Sequence, residues 1–114
     1  MDYDLYAPIV GIVRNYCKLY HYAHTVADDP REPANLRAHY KAVHTAIKAA
    51  LEANCRPDEA PFFVSDIGLG TGFNKSQMCF ISEVDYKVRK RKIVHDIAVG
   101  LNLIQPKAEI EERS

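Results

Sequence analysis

No run in this chain approaches the roughly 18 consecutive apolar residues of a membrane span. Its start, Met1-Asp2-Tyr3-Asp4, lacks the basic and then apolar pattern of a secretory signal. The expectation is a cytoplasmic protein with no membrane partner. Cysteine is scarce and odd in number. Cys17, Cys55 and Cys79 are widely spaced and form no Cys-x-x-Cys pair, which argues against a disulfide framework and fits a reducing compartment. Net charge is also absent: 15 basic residues balance 15 acidic ones, which counts against a protein whose whole surface holds polyanions. Internal repeats and low-complexity stretches are missing too.

What is present suits one compact domain. The 114 residues are 47% hydrophobic and 26% charged, enough for a modest core. Tyr6, Ile9, Val10, Val13, Tyr16, Cys17, Tyr20 and Ala23 recur at three- and four-residue steps, which predicts one helix from about Asp4 to Val26. Pro8 sits in its first turn, where proline is tolerated, and Asp28-Asp29-Pro30 ends it. Leu36, Tyr40, Val43, Ile47, Ala50 and Leu51 predict a second helix, with Asn35 as N-cap and Pro57 as its stop. The two read as an antiparallel hairpin over residues 1–57, supplying core and a homodimer surface. Tyr3, Tyr6, Tyr16, Tyr20 and Tyr22 suit helix packing or that surface, because their rings carry one polar end.

Residues 58–73 break the pattern. Pro61, Gly68, Gly70 and Gly72 each penalise a helix, by about 1 kcal/mol per glycine and about 3 for proline. The expectation is an irregular connector with room for a short strand at Phe62-Phe63-Val64. Within it, Asp66-Ile67-Gly68-Leu69-Gly70-Thr71-Gly72 is similar to the cofactor loop of S-adenosylmethionine methyltransferases. Such a loop joins the first strand of a parallel sheet to a helix. Only residues 73–114 follow, room for little more than one strand and crossover unit. Lys75 does not follow a glycine directly, so the segment is not a P-loop either. No cofactor is expected.

Positive charge gathers further on. From Lys75 to Lys92 there are six basic residues and two acidic ones, 6 − 2 = +4, balanced by −4 elsewhere, including the tail Glu109-Ile110-Glu111-Glu112. Asn74 with Gln77, and Ser82 with Asp85, resemble capped helix starts. Residues 74–104 therefore read as a helix-turn-helix-like unit followed by an acidic tail at 105–114. In it Asn74 to Phe80 is the supporting helix, Ile81-Ser82-Glu83 the turn, and Ser82 to about Leu101 the recognition helix. Val84, Val88, Ile93, Val94, Ile97 and Leu101 are its expected apolar stripe. A second register puts Ile67 and Gly68 in the supporting helix and Asn74 to Ile81 in the recognition helix. The candidate DNA contacts are Lys75, Ser76, Ser82, Lys87, Arg89, Lys90, Arg91 and Lys92, with Lys75 and Ser76 able to meet phosphate in either register. Arginine grips guanine edges or phosphate with paired bonds, and lysine adds steering charge.

Residues 81–101 resemble the C-terminal segment of phage late-gene transcription regulators of the ArpU/RinA type, which are similar to the promoter-reading helix-turn-helix of sigma factors. Ile81-Ser82-Glu83, Lys90-Arg91-Lys92 and Ile97-Ala98 carry the resemblance. It implies a sequence-specific regulator of transcription, phage- or prophage-related, with duplex DNA as partner and no catalytic residues. The alternatives are a protein-interaction module acting through the tyrosine-rich helices and a methyltransferase-like fragment. Cys17, His21 and His24 share a helix face that His39 or His44 could complete as a metal site. Without a Cys-x-x-Cys pair, no metal is expected.

Overall fold

The computed structural model describes residues 7–74, 78 and 80–104, apart from the side chain of His21. Among them are five helices and no strand: α1 (Ala7–Lys18), α2 (Tyr20–Ala27), α3 (Ala34–Asn54), α4 (Ala60–Leu69) and α5 (Glu83–Gly100). The mainly helical expectation therefore holds. The long α3 packs against both α2 and α5, while α1 lies chiefly on α4 and touches α5.

The single N-terminal helix expected from the tyrosine-rich stripe is two helices. Ile9, Val13 and Cys17 are buried on α1, and Ala23 and Val26 on the next segment. Six residues separate Cys17 from Ala23, so in one straight helix the two patches would lie about 120° apart. The break at Leu19 (φ −95°, ψ 8°) re-aims the chain. Its amide bonds three residues back to the Tyr16 carbonyl at 3.0 Å, the tighter turn typical of a helix end. As a result α2 forms the hairpin with α3, and α1 is free to serve α4. The start of α3 also differs. Pro33 holds the N-cap position with no side-chain cap, so Asn35 lies inside the helix.

The larger correction concerns residues 58–73: within the expected connector, Ala60–Leu69 is a helix, and it includes the possible strand at Phe62-Phe63-Val64. Arg56-Pro57-Asp58-Glu59 forms its entrance. The Arg56 carbonyl accepts from the Glu59 amide at 2.9 Å and the Ala60 amide at 3.1 Å. The Glu59 carboxylate reaches back to the Arg56 amide at 2.9 Å. This resembles half of a capping box placed in the turn ahead of α4, whose N-cap is Glu59 and whose first turn holds Pro61, where a missing amide costs nothing. Pro57 thus follows α3 and stands in the turn that leads into α4.

Each glycine of the motif has a separate structural task. A Cβ on Gly68 would sit 3.0 Å from the Lys18 amide nitrogen and 3.1 Å from the Cys17 carbonyl carbon, so Gly68 is where α4 crosses the α1 backbone. Gly70 is left-handed (φ 66°), and its amide caps the helix by bonding the Asp66 carbonyl at 2.7 Å. Gly72 (φ 77°) turns its amide onto Asp66 Oδ1 at 2.7 Å. A helix C-terminus held by its own aspartate accounts for the pattern. Gly68→Ala is expected to push α1 and α4 apart and cost about 1–3 kcal/mol. An unchanged urea midpoint would show that the crossing is looser than the structure has it.

Candidate nucleic-acid interface

The basic segment lies on α5, whose start matches the sequence reading. Ser82 is the N-cap, and its hydroxyl accepts from the Asp85 amide at 3.2 Å. Ser82 therefore has a structural task. The proposed supporting helix at Asn74–Phe80 falls mostly outside the described residues, as do the contacts Lys75 and Ser76. Asn74, Met78 and Phe80 are described and are not in a helix. Of the second register, the helix through Ile67 and Gly68 exists, and it ends at Leu69.

α5 is fixed by an aromatic floor. Tyr86 is fully buried and stacks on Phe63 with centroids 4.3 Å apart and planes 12° from parallel; Phe73 lies 5.4 Å away. The Tyr86 hydroxyl donates to the Phe62 carbonyl at 3.1 Å. Burial, the nearby Asp66 charge and a hydrogen bond with Asp66 push its pKa well above the usual tyrosine value. Ile93 and Ile97 continue this buried side, and Gly100 passes close to Ala46 of α3.

The basic cluster divides by face. Lys90 Nζ lies 3.0 Å from Asp66 Oδ2, and that aspartate is only 2% exposed. Arg89 reaches Glu59, another buried carboxylate, at 3.4 Å. Lys92 donates to Asn54 Oδ1 at 2.8 Å and pairs with Asp96 at 3.4 Å. These three cations tie α5 to α4 and α3. Lys87 and Arg91 are exposed instead; Lys87 pairs with Glu83 at 3.1 Å across one turn, with both side chains more than half exposed. A pair of that kind contributes little and yields readily to another anion.

Two residues assigned to the apolar stripe are on the outside. Val84 is 72% exposed and Val88 36%. Val84 is nine residues from Ile93, about half a turn out of phase, so the two cannot share a buried side. The spacing alone carried that signal. Val84, Lys87, Val88 and Arg91 form one outward strip on the first half of α5, built of two methyl-bearing side chains and two cations. Arrangements of this type meet thymine methyls and phosphates.

Other chemistry is sparse. No group of three or more His, Cys, Asp or Glu side chains is placed to hold a metal among the described residues. His24 and His44 do approach, with ring centroids 4.9 Å apart. Burial pushes the Cys17 thiol up to about 12. It also raises Cys55 to about 11, with Glu59 adding to the effect and Arg89 opposing it, so both sulfurs are protonated and poorly nucleophilic at neutral pH. The strand that a nucleotide cradle would need ahead of Gly68 is the body of α4. No helix among the described residues is long and apolar enough to cross a membrane.

Asp96 ties the polar side of α5 together. Burial raises its pKa, but hydrogen bonds from Asn54 and His95 and the nearby Lys92 outweigh it and hold the carboxyl below its ordinary value. A depressed folded pKa contributes stability above the unfolded value of about 3.9, and that stability is lost as pH falls through the folded value. Asp96→Asn is expected to weaken the fold at pH 6 and to reduce the stability lost between pH 5 and 2. Parallel urea curves for both proteins across that range check it.

No family model, curated protein or solved structure matches this chain.

Proposed function

We propose that this chain is a non-catalytic regulator that binds duplex DNA through the outward strip of α5. The observation that carries the reading is the division of the basic cluster. Arg89, Lys90 and Lys92 hold the helix in place, while Lys87 and Arg91 stand outward beside Val84 and Val88. A rigidly anchored helix with an exposed cationic and apolar strip has the ingredients of a groove-reading element. The resemblance of residues 81–101 to phage late-gene regulators supports transcription as the process served. Two cations make few phosphate contacts, so a homodimer reading two half-sites is part of the proposal.

The test separates the two classes of cation. K87A/R91A is expected to weaken binding to duplex DNA at least tenfold and to lower its salt slope by about 2 per protomer. Its circular dichroism spectrum should show the parent's helix content. Unchanged affinity in that variant would remove the strip from the interface. A second reading, a protein-interaction module, rests on Tyr22 of α2, which is 54% exposed and packs edge-on against Tyr40 of α3 at 5.7 Å. DNA affinity unaffected by salt, together with partner binding lost in Y22A, would favour it.

A further inference from the structure

The outward strip of α5 carries methyl groups as well as charge. Val84 is 72% exposed and Val88 36%, while Ile93, Val94, Ile97 and Ala98 further along the same helix are buried. A single exposed valine needs no explanation. These two stand one turn apart, about 6 Å along the helix axis and about 40° around it, beside the row of Lys87 and Arg91. The polar residues nearby narrow what such a surface reads. From Ser82 to Lys92 the chain has no asparagine or glutamine, the residues that bond adenine through both N6 and N7. The Ser82 hydroxyl is taken up by the Asp85 amide at 3.2 Å. The acidic residues Glu83 and Asp85 lie about 100° to either side of Val84 around the helix.

Resting on the DNA reading above, we infer that α5 selects duplexes presenting thymine 5-methyl groups in the major groove, and that Val84 and Val88 are the residues that select them. Each base pair shows a distinct pattern there, and thymine adds a methyl to its acceptor. A methyl set against valine removes apolar surface of both partners from water. Cytosine offers an amino group instead, and its burial against valine leaves a donor without an acceptor. Bases follow one another along a strand at intervals of about 3.4 Å, so the step of about 6 Å from Val84 to Val88 covers about two of them. The strip therefore favours thymines at alternate positions. Phosphate contacts by Lys87 and Arg91 carry no sequence information, and the valines supply the preference.

Two duplexes of equal length, one alternating adenine with thymine and one alternating adenine with uracil, differ chemically at the base edges by the 5-methyl alone. Fluorescence anisotropy with the full chain is expected to show the thymine duplex bound at least fivefold more tightly, with both affinities falling as salt is raised. V84S/V88S is expected to bind the two duplexes within about twofold of each other. Serine and valine have similar helix propensity and both positions are exposed, so the variant keeps the fold. Equal binding of both duplexes by the parent, with salt dependence retained, overturns the methyl readout and leaves the DNA reading intact. A thymine preference that survives in V84S/V88S also overturns it, since duplex shape would then be its source. No binding of either duplex overturns the DNA reading and this inference with it.

Discussion

Lys90→Met is expected to destabilise the fold by about 3–5 kcal/mol, and Asp66→Asn by less. The asymmetry comes from burial. Asp66 is 2% exposed and the Lys90 side chain 33%. Removing the lysine charge leaves a carboxylate inside the protein with, among the described residues, the Gly72 amide and the Tyr86 hydroxyl beside it. Removing the aspartate charge leaves an ammonium on a flexible stem that can turn to water. Breaking a buried pair is costly mainly through the charge left behind, so the less exposed partner sets the larger penalty. Lys87→Met on the exposed strip is the control, expected within about 0.5 kcal/mol of the parent. Urea unfolding of the three variants orders them; a Lys90→Met protein as stable as Lys87→Met would mean that the ion pair does not form.

Tyr86→Ala is expected to cost about 3–5 kcal/mol and to loosen the contact between α4 and α5. The ring is 1% exposed and stacked on Phe63, so truncation leaves a cavity among aromatic side chains that cannot collapse freely. It also removes the hydroxyl from the Phe62 carbonyl and from Asp66. Tyr86→Phe keeps the ring and loses only those bonds, at about 1 kcal/mol. The difference between the two variants measures the packing share. If Tyr86→Phe proved as damaging as Tyr86→Ala, the polar bonds rather than the stacked rings would be holding α5.

The helical stripes of α1 and α3 were legible because their apolar residues repeat at helical steps and few breakers interrupt them. Ser82 was legible as a cap for the same local reason. The division at Leu19 was less visible, since no proline or glycine marks it; only the six-residue step from Cys17 to Ala23 hints at the change of face. α4 was hidden by composition. Pro57 and Pro61 stand in or near its first turn, where proline does little harm, and Gly68 is required by the α1 backbone beside it. Its helix propensity is poor, and tertiary packing outweighs that deficit. The basic segment was visible as charge but not as two faces. Its acidic partners Glu59 and Asp66 lie 30 and 24 residues earlier in the chain, and no local pattern reports which lysine meets them. The outward position of Val84 was available from phase counting against Ile93.

Titration of wild-type protein with random-sequence duplex DNA between 50 and 200 mM salt tests the functional proposal most directly. With two outward cations per protomer, the observed affinity is expected to fall at least about tenfold over that interval, and more steeply for a dimer. Absence of binding at 50 mM salt, or an affinity that does not change with salt, would contradict it.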